Sequence, residues 1–474
     1  MKSSLVLPLL VLGAAGSVSI ATAQLAGTFS ATGSMTTPRF EHTATLLTNG
    51  KVLIAGGSRS TAGFEPVATA EIYDPSSGTF TATGNMTIAR AGHAATLLPD
   101  GRVLVTGSVN LAGSAEIYDP STGLFTAAGV VTRVSETDLG PATLLNNGKV
   151  LIAADVGALL WLYDPNSGTF TLTGNAPSYQ GVNVNLLPNG QVLVVGFYHD
   201  YLYDPNIGAA TPTTPLGGAN YFPNFHTSTL LADGRVLVAG TEQDGDGPII
   251  QDSAQIYDPS TQAVAYTGNM TTLRDRHTAT LLPDGRVLIA GGATISAELY
   301  DPSSGTFNLA PDMTTSRDAH TATPLNNGKV LIVGGITEDD TQIAGVRPLS
   351  SAELYTPPVL VPAPVLFSLS GDGKGQGAIW NGVTGLIVSP SNPASAGDVL
   401  SMYTTSLFEG GVIPPQIAIG GQLAQILFFG DAPDYPGYYQ VNVRMPSGVA
   451  AGSAISVRLT YLGRPSNAVT IGVQ

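Results

Sequence analysis

Short apolar runs separated by polar, turn-forming residues recur along residues 25–357, and one sequence unit returns with them. Seven times an Asn-Gly or Asp-Gly pair stands between two such runs, its glycine at Gly50, Gly101, Gly148, Gly190, Gly234, Gly285 and Gly328. These pairs tolerate positive φ at both central positions of a primed two-residue turn, so each unit predicts a β-hairpin. The strand before the first turn is His42-Thr-Ala-Thr-Leu-Leu47, and the strand after it is Lys51-Val-Leu-Ile-Ala-Gly-Gly57. A third strand ends in Tyr-Asp-Pro at Tyr73, Tyr118, Tyr163, Tyr203, Tyr257 and Tyr300, and in Tyr-Thr-Pro at Tyr355. A fourth follows in most copies, as in Ser77-Gly-Thr-Phe-Thr-Ala-Thr-Gly-Asn-Met86.

Four short strands per unit, at a period of about 46 residues, predict the blades of a β-propeller. The unit resembles the kelch family, including the kelch domain of galactose oxidase, across residues 24–357. Full Gly-Gly pairs, the family's mark on the second strand, stand at Gly56-Gly57, Gly291-Gly292 and Gly334-Gly335; Ala153-Ala154 and a single Gly196 replace them in the third and fourth copies. The seventh copy stops at Tyr355 before its fourth strand. Gly27-Thr-Phe-Ser-Ala-Thr-Gly-Ser-Met35 repeats the pattern of Gly78 to Met86, so residues 25–34 are expected to supply the missing strand and close the ring.

Spacings identify the face left free to vary. From each Tyr-x-Pro tyrosine to the next turn glycine the distance is 27 to 31 residues, whereas from turn glycine to tyrosine it runs from 13 to 27. Length therefore varies between the second and third strands, on the face where each first strand begins, and binding residues favour variable loops on a rigid scaffold. That face should also carry a recurring Arg-x-x-His at Arg39/His42, Arg90/His93, Arg274/His277 and Arg317/His320, with His226 at the same position in the fifth copy. Thr137, Tyr179 and Pro223 replace the arginine in copies three to five, near Tyr221, Phe222 and Phe225. One reading is a ligand pocket with a guanidinium arc opposite an aromatic side formed by Tyr179 and Phe222. The other is that the Arg and His side chains staple neighbouring blades, with Glu41, Asp275 and Asp318 as local partners. Acidic loops stand nearby at Glu242 to Gly247, with Asp244 and Asp246, and at Glu338 to Asp340; no complete calcium loop is present.

Residues 358–364 form a Pro-rich linker that favours extended backbone. Beyond it, short apolar strands at Leu400 to Tyr403, Gln416 to Ile419, Ala424 to Phe429, Tyr438 to Val443, Ile455 to Tyr461 and Val469 to Val473 predict an immunoglobulin-like β-sandwich over residues 365–474. Gly377-Ala-Ile-Trp-Asn-Gly, Pro390-Ser-Asn-Pro-Ala, Gly437-Tyr-Tyr-Gln-Val-Asn-Val and Asn467-Ala-Val-Thr-Ile-Gly-Val-Gln474 resemble the Solibacter-type carboxy-terminal domain of exported acidobacterial proteins, which implies a surface or secretion role.

Composition narrows the function. In 474 residues there are 57 glycines, 33 prolines and no cysteine, only 11% of residues are charged, and the net charge is −15. Few cations on an acidic chain argue against nucleic-acid binding. The absent thiol excludes disulfides and thiolate metal sites. It also excludes the Tyr–Cys copper centre that the galactose oxidase resemblance would imply. Residues 1–23 read as a signal peptide: Lys2, an apolar run interrupted by Pro8, Gly13 and Gly16, and Ala21-Thr22-Ala23 before Gln24. No later stretch is apolar enough to span a bilayer.

The expectation is an all-β protein, a seven-bladed kelch-type β-propeller followed by an immunoglobulin-like sandwich. It would be a secreted or cell-surface monomer that binds a carbohydrate or protein ligand on its variable-loop face, with no catalytic residue, metal or cofactor assigned. Two alternatives are an extracellular polysaccharide-active enzyme using Asp244, Asp246, Asp339 or Asp340, and a structural envelope protein.

Overall fold

The computed structural model describes residues 26–63, 65–107, 113–130, 139–154, 159–175, 183–196, 199–216, 226–241, 252–274, 276–338, 345–408, 412–433 and 435–474. Every helix or strand among them is a strand. Blade 1 is the antiparallel sheet Thr43–Leu46, Val52–Ala55, Ala70–Asp74 and Thr79–Ala82, in that spatial order from the centre outwards. Five further sheets repeat it, from Ala94–Leu97 in blade 2 to Thr306–Ala310 at the end of blade 6. Blade 7 consists of Thr321–Pro324, Val330–Val333, Ala352–Thr356 and, at its outer edge, the amino-terminal strand Thr28–Ala31. Thr28 pairs with Thr356 and Ala31 with Glu353, so the two ends of the propeller share one sheet. The innermost strands adjoin around the ring, the first meeting the last.

Second strands such as Val52–Ala55 and Val192–Val195 are buried along their whole length, because each blade is covered on both faces by its neighbours. This explains why they read as unbroken apolar runs rather than alternating ones. The core is accordingly a ring of layers between blades: Val52, Ile54 and Tyr73 of blade 1 pack with Leu331 and Val333 of blade 7. The motif tyrosines staple these layers. The hydroxyls of Tyr73, Tyr118, Tyr203, Tyr257 and Tyr300 pair with Thr32, Thr83, Thr173, Thr213 and Thr267, each on the preceding blade. Tyr73 also packs on Phe80 of its own outer strand, ring centroids 4.8 Å apart.

The hairpin turns differ from the two-residue primed type. Leu47 N donates to Lys51 O and Gly50 N to Leu47 O, which encloses Thr48, Asn49 and Gly50 in a three-residue loop. Gly50 has φ of 82°, but Asn49 is not in the left-handed region. The cause is local: Asn49 Oδ1 accepts from Lys51 N at 3.0 Å, an Asx turn that holds the asparagine right-handed and leaves positive φ to the glycine alone.

Beyond the linker, two four-stranded sheets face each other across one apolar core as a β-sandwich. One is Ile379–Asn381, Val399–Thr404, Tyr439–Arg444 and Gln425–Asp431; the other is Gln422–Leu423, Gln416–Ile419, Gly452–Tyr461 and Arg464–Val473. This domain sits on the hairpin-turn face of the propeller. Gln422 Nε2 donates to Asn166 Oδ1 at 3.0 Å and Phe408 lies against Gly285, while Arg464 Nη1 holds the linker through Val361 O at 2.9 Å. Between the two domains a largely apolar cavity of about 420 Å³ is lined by Leu46, Leu97 and Leu144 of the inner strands and by Ile413, Pro414 and Leu462 opposite. No helix among the described residues is long and apolar enough to cross a membrane.

Candidate functional site

The four motif arginines begin the loop-face end of blades 1, 2, 6 and 7, and their side chains turn inward. Arg39, Arg90, Arg274 and Arg317 are among the largest fully buried side chains of the protein. Each pairs with a glutamate of its own blade's third strand: Arg39 with Glu71 at 3.0 Å, Arg90 with Glu116 at 3.2 Å, Arg274 with Glu298 at 2.9 Å and Arg317 with Glu353 at 2.8 Å. Burial works against the charge of each guanidinium and the carboxylate beside it favours that charge. Arg39 Nη1 also donates to Gly56 O and Thr69 O, where the second strand ends and the third begins. Glu71 in turn accepts from Thr36 N on the segment arriving from blade 7. The guanidiniums read either as an arc at the mouth or as staples thus lie in internal ion pairs with third-strand glutamates, and Glu41 is not their partner. Desolvating a cation needs a paired, hydrogen-bonded anion, and the third strand supplies one.

The histidines link blades. His42 Nε2 lies 3.0 Å from Thr321 Oγ1 of blade 7, His93 Nε2 2.9 Å from Thr43 Oγ1, His277 Nε2 3.1 Å from Thr227 Oγ1 and His320 Nε2 3.0 Å from Thr278 Oγ1. His226 Nε2 pairs with Asn183 at 3.2 Å. Burial, with the nearby arginine charge, pushes His93, His277 and His320 down to about 3 and His42 well below the ordinary imidazole range, so all four are neutral. The Gly-Gly pairs make room for them: a Cβ on Gly56 would lie 2.7 Å from His93 Cε1, and one on Gly334 2.8 Å from His42 Cε1.

At the loop-side end of these blades stands the residue just before each histidine. Glu41, Gly92, Arg276 and Ala319 occupy this position in blades 1, 2, 6 and 7, and all four have left-handed backbone, with φ of 52°, 65°, 51° and 50°. They form a rim: Glu41 N donates to Ala319 O and Gly92 N to Glu41 O. Non-glycine residues held there carry strain, which concentrates at functional positions. Burial raises the Glu41 carboxyl above its ordinary range, and the positive charge of Arg276, two blades away, partly opposes the rise. Both side chains are half-buried. The rim thus offers one acid and one base of complementary charge on strained backbone. The sequence signal for them is modest: a charged residue stands directly before the histidine in two of the four motifs, Glu41 and Arg276.

Tyr179, Phe222, Thr137 and Pro223 lie outside the described residues, as do Asp275, Asp244, Asp246, Asp339 and Asp340. Glu338 is exposed at the end of a two-stranded ribbon, Ile336–Glu338 with Val346–Pro348. In blade 4, which lacks the Arg–Glu pair, buried Asp200 binds Gly196 N and Leu216 N, and burial pushes its carboxyl up to about 7. His199 beside it is exposed.

A copper centre of the kind the family resemblance implies does not fit these residues. Four histidines of the repeat present Nε2 to a threonine hydroxyl and His226 presents it to Asn183, and no three His, Cys, Asp or Glu among the described residues are placed to share a metal ion.

No protein-family model and no curated protein matches the chain. Solved structures do. One is a fungal alcohol oxidase of the AA5 family in complex with copper, 18% identical, covering 95% of this chain and 100% of its own, with a TM-score of 0.63. At that identity the likeness concerns the fold: a seven-bladed propeller and its companion β-domain arranged as in a galactose oxidase-like enzyme.

Proposed function

We propose that this is an exported binding protein whose propeller recognises a carbohydrate or protein ligand at its loop face, without copper-radical chemistry. One observation carries the reading: the carboxy-terminal sandwich covers the turn-face end of the propeller, which leaves open the other end, where each second strand hands over to a third and where Glu41, Gly92, Arg276 and Ala319 stand on blades 1, 2, 6 and 7. A rigid ring under variable loops suits recognition. The carboxyl and guanidinium of the rim suit a hydroxyl-rich or charged partner. Export rests on the amino-terminal sequence pattern, and the Solibacter-type likeness of the last 110 residues points the same way.

A glycan array probed with the purified protein, with the same glycans assayed for breakdown, tests this. The expected result is binding without product, weakened at least tenfold in a Glu41→Gln/Arg276→Met variant of unchanged melting temperature. Binding unaffected by that variant would overturn the rim assignment. Product formation abolished by Glu41→Gln would overturn the non-enzymatic reading, since a carboxyl raised by burial is also what a general acid needs.

A further inference from the structure

The outer sheet face of the carboxy-terminal sandwich breaks the pattern of its strands. Along Ile379–Asn381, Val399–Thr404 and Tyr439–Arg444, Ile379, Leu400, Met402, Val441 and Val443 point into the core, so the residues between them face outwards. An outward face is ordinarily polar. Here it carries Trp380 and Tyr403, joined by Phe367, Tyr435 and Tyr438 from flanking segments around a cavity of about 680 Å³. Tyr435 is 58% exposed and Tyr438 43%. The rings hold one another edge-on: Trp380 to Tyr403 at 5.7 Å and 80°, Tyr403 to Tyr435 at 6.2 Å and 66°, Phe367 to Tyr438 at 5.5 Å and 62°. Mutual packing of this kind fixes the ring planes before any ligand arrives.

Beside the rings lies an ordered polar strip. Ser401 Oγ donates to Asn442 Oδ1 at 2.7 Å, and Gln440 Nε2 bonds both Asn442 Oδ1 at 2.9 Å and Ser401 Oγ at 3.1 Å. Ser401 lines the cavity itself, and on the adjacent strand, paired with Ser401 and Tyr403, the other ends of the two amides, Asn442 Nδ2 and Gln440 Oε1, have no hydrogen bond within the described protein. Among the described residues, no carboxylate, Lys or Arg lines the cavity. The nearby carboxylate, Asp398, is engaged by Asn381 Nδ2 and Ser395 N.

From this arrangement we infer that the cleft is a carbohydrate-binding site for a neutral oligosaccharide, separate from the propeller rim. A pyranose ring has a flat C–H face that stacks on an aromatic face and an equatorial belt of hydroxyls that pairs with amides, and the cleft offers both side by side. A quaternary ammonium could use the ring faces but has no hydroxyl to pair with the amide ends, and an apolar peptide would leave them unpaired. The volume is that of a small-ligand site.

The protein's two tryptophans make the test direct: Trp161 is buried in blade 3 and Trp380 lies in the cleft, so Trp161→Phe leaves Trp380 as sole reporter. Titration of that full-length variant with cello-, xylo- and chito-oligosaccharides should give a saturable change in tryptophan emission for at least one of them. Tyr435→Ala, at an exposed position, and Asn442→Ala should each weaken that binding tenfold or more at unchanged melting temperature. The Glu41→Gln/Arg276→Met rim variant should leave it intact, which separates this site from the propeller reading. Three results would each overturn the inference: no response to any neutral saccharide, a saturable response to tetramethylammonium alone, or concentration-dependent dimerisation abolished by Tyr438→Ala.

Discussion

Arg317 Nε sits 2.8 Å from Glu353 Oε1 with both side chains wholly buried, and the same Arg–Glu pair recurs in blades 1, 2 and 6. A buried pair of this kind adds little over a well-packed apolar pair, yet losing one member strands the other charge. Glu353→Ala should therefore destabilise the protein by about 3–5 kcal/mol. Arg317→Met/Glu353→Leu should cost clearly less than either single change. Urea denaturation of the three variants checks this; equal losses in single and double variants would show that the bonds to Gly334 O and Ser351 O matter more than the charge.

The buried histidines set an acid limit. Their folded-state pKa values lie near 3 for His93, His277 and His320, below the value of about 6.5 of an unfolded chain. The unfolded state therefore takes up more protons, so their contribution is full above about pH 6.5 and is lost as pH falls towards 3. Unfolding free energy should decline by on the order of 1 kcal/mol per pH unit for each histidine in that window. His277→Gln, able to keep a bond to Thr227, should flatten the slope; a slope equal to the parent's would remove His277 from the cause.

Ring closure depends on one short strand. Deleting residues 26–34 removes the outer strand of blade 7 and exposes the Ala352–Thr356 edge. The melting temperature should fall by more than about 10 °C, with aggregation, since several kcal/mol of pairing and packing are lost and 1 kcal/mol is worth a few degrees. An unchanged thermal transition would contradict closure.

Backbone strain at the rim gives a trade-off. Blade 2 already places Gly92 where blades 1 and 7 hold Glu41 and Ala319 at φ near 50°. Left-handed backbone costs an L-residue about 1–2 kcal/mol, partly offset by the flexibility glycine adds to the unfolded chain. Ala319→Gly and Glu41→Gly should each stabilise by about 0.5 kcal/mol, and only Glu41→Gly should weaken ligand binding at the rim. Destabilisation by Ala319→Gly would mean that the position is not strained.

Much of this molecule is legible in its repeat. The seven turn glycines count the blades, and unbroken apolar second strands against alternating first strands tell which strands lie between neighbours, because hydrophobic period reports burial directly. The arginines show where that reading stops. Periodicity says which side of a strand is covered and not what covers it, so Arg39 and its counterparts read either as a surface arc or as staples between blades. One clue stood in the chain: Glu71, Glu116, Glu298 and Glu353 occur only in the four copies that carry Arg-x-x-His, while Trp161, Tyr201 and Gln255 stand in their place elsewhere. The aromatic cleft left no such trace. Phe367, Trp380, Tyr403, Tyr435 and Tyr438 are spread over 72 positions, and only the pairing of three strands and two loops gathers them. The sequence by itself determined the blades, their number and their variable face, which are properties of local period and turn chemistry. Tertiary structure alone decided which charges are spent inside, which end of the propeller the second domain covers, and where aromatic rings meet at a surface, because each depends on contacts between segments far apart in the chain.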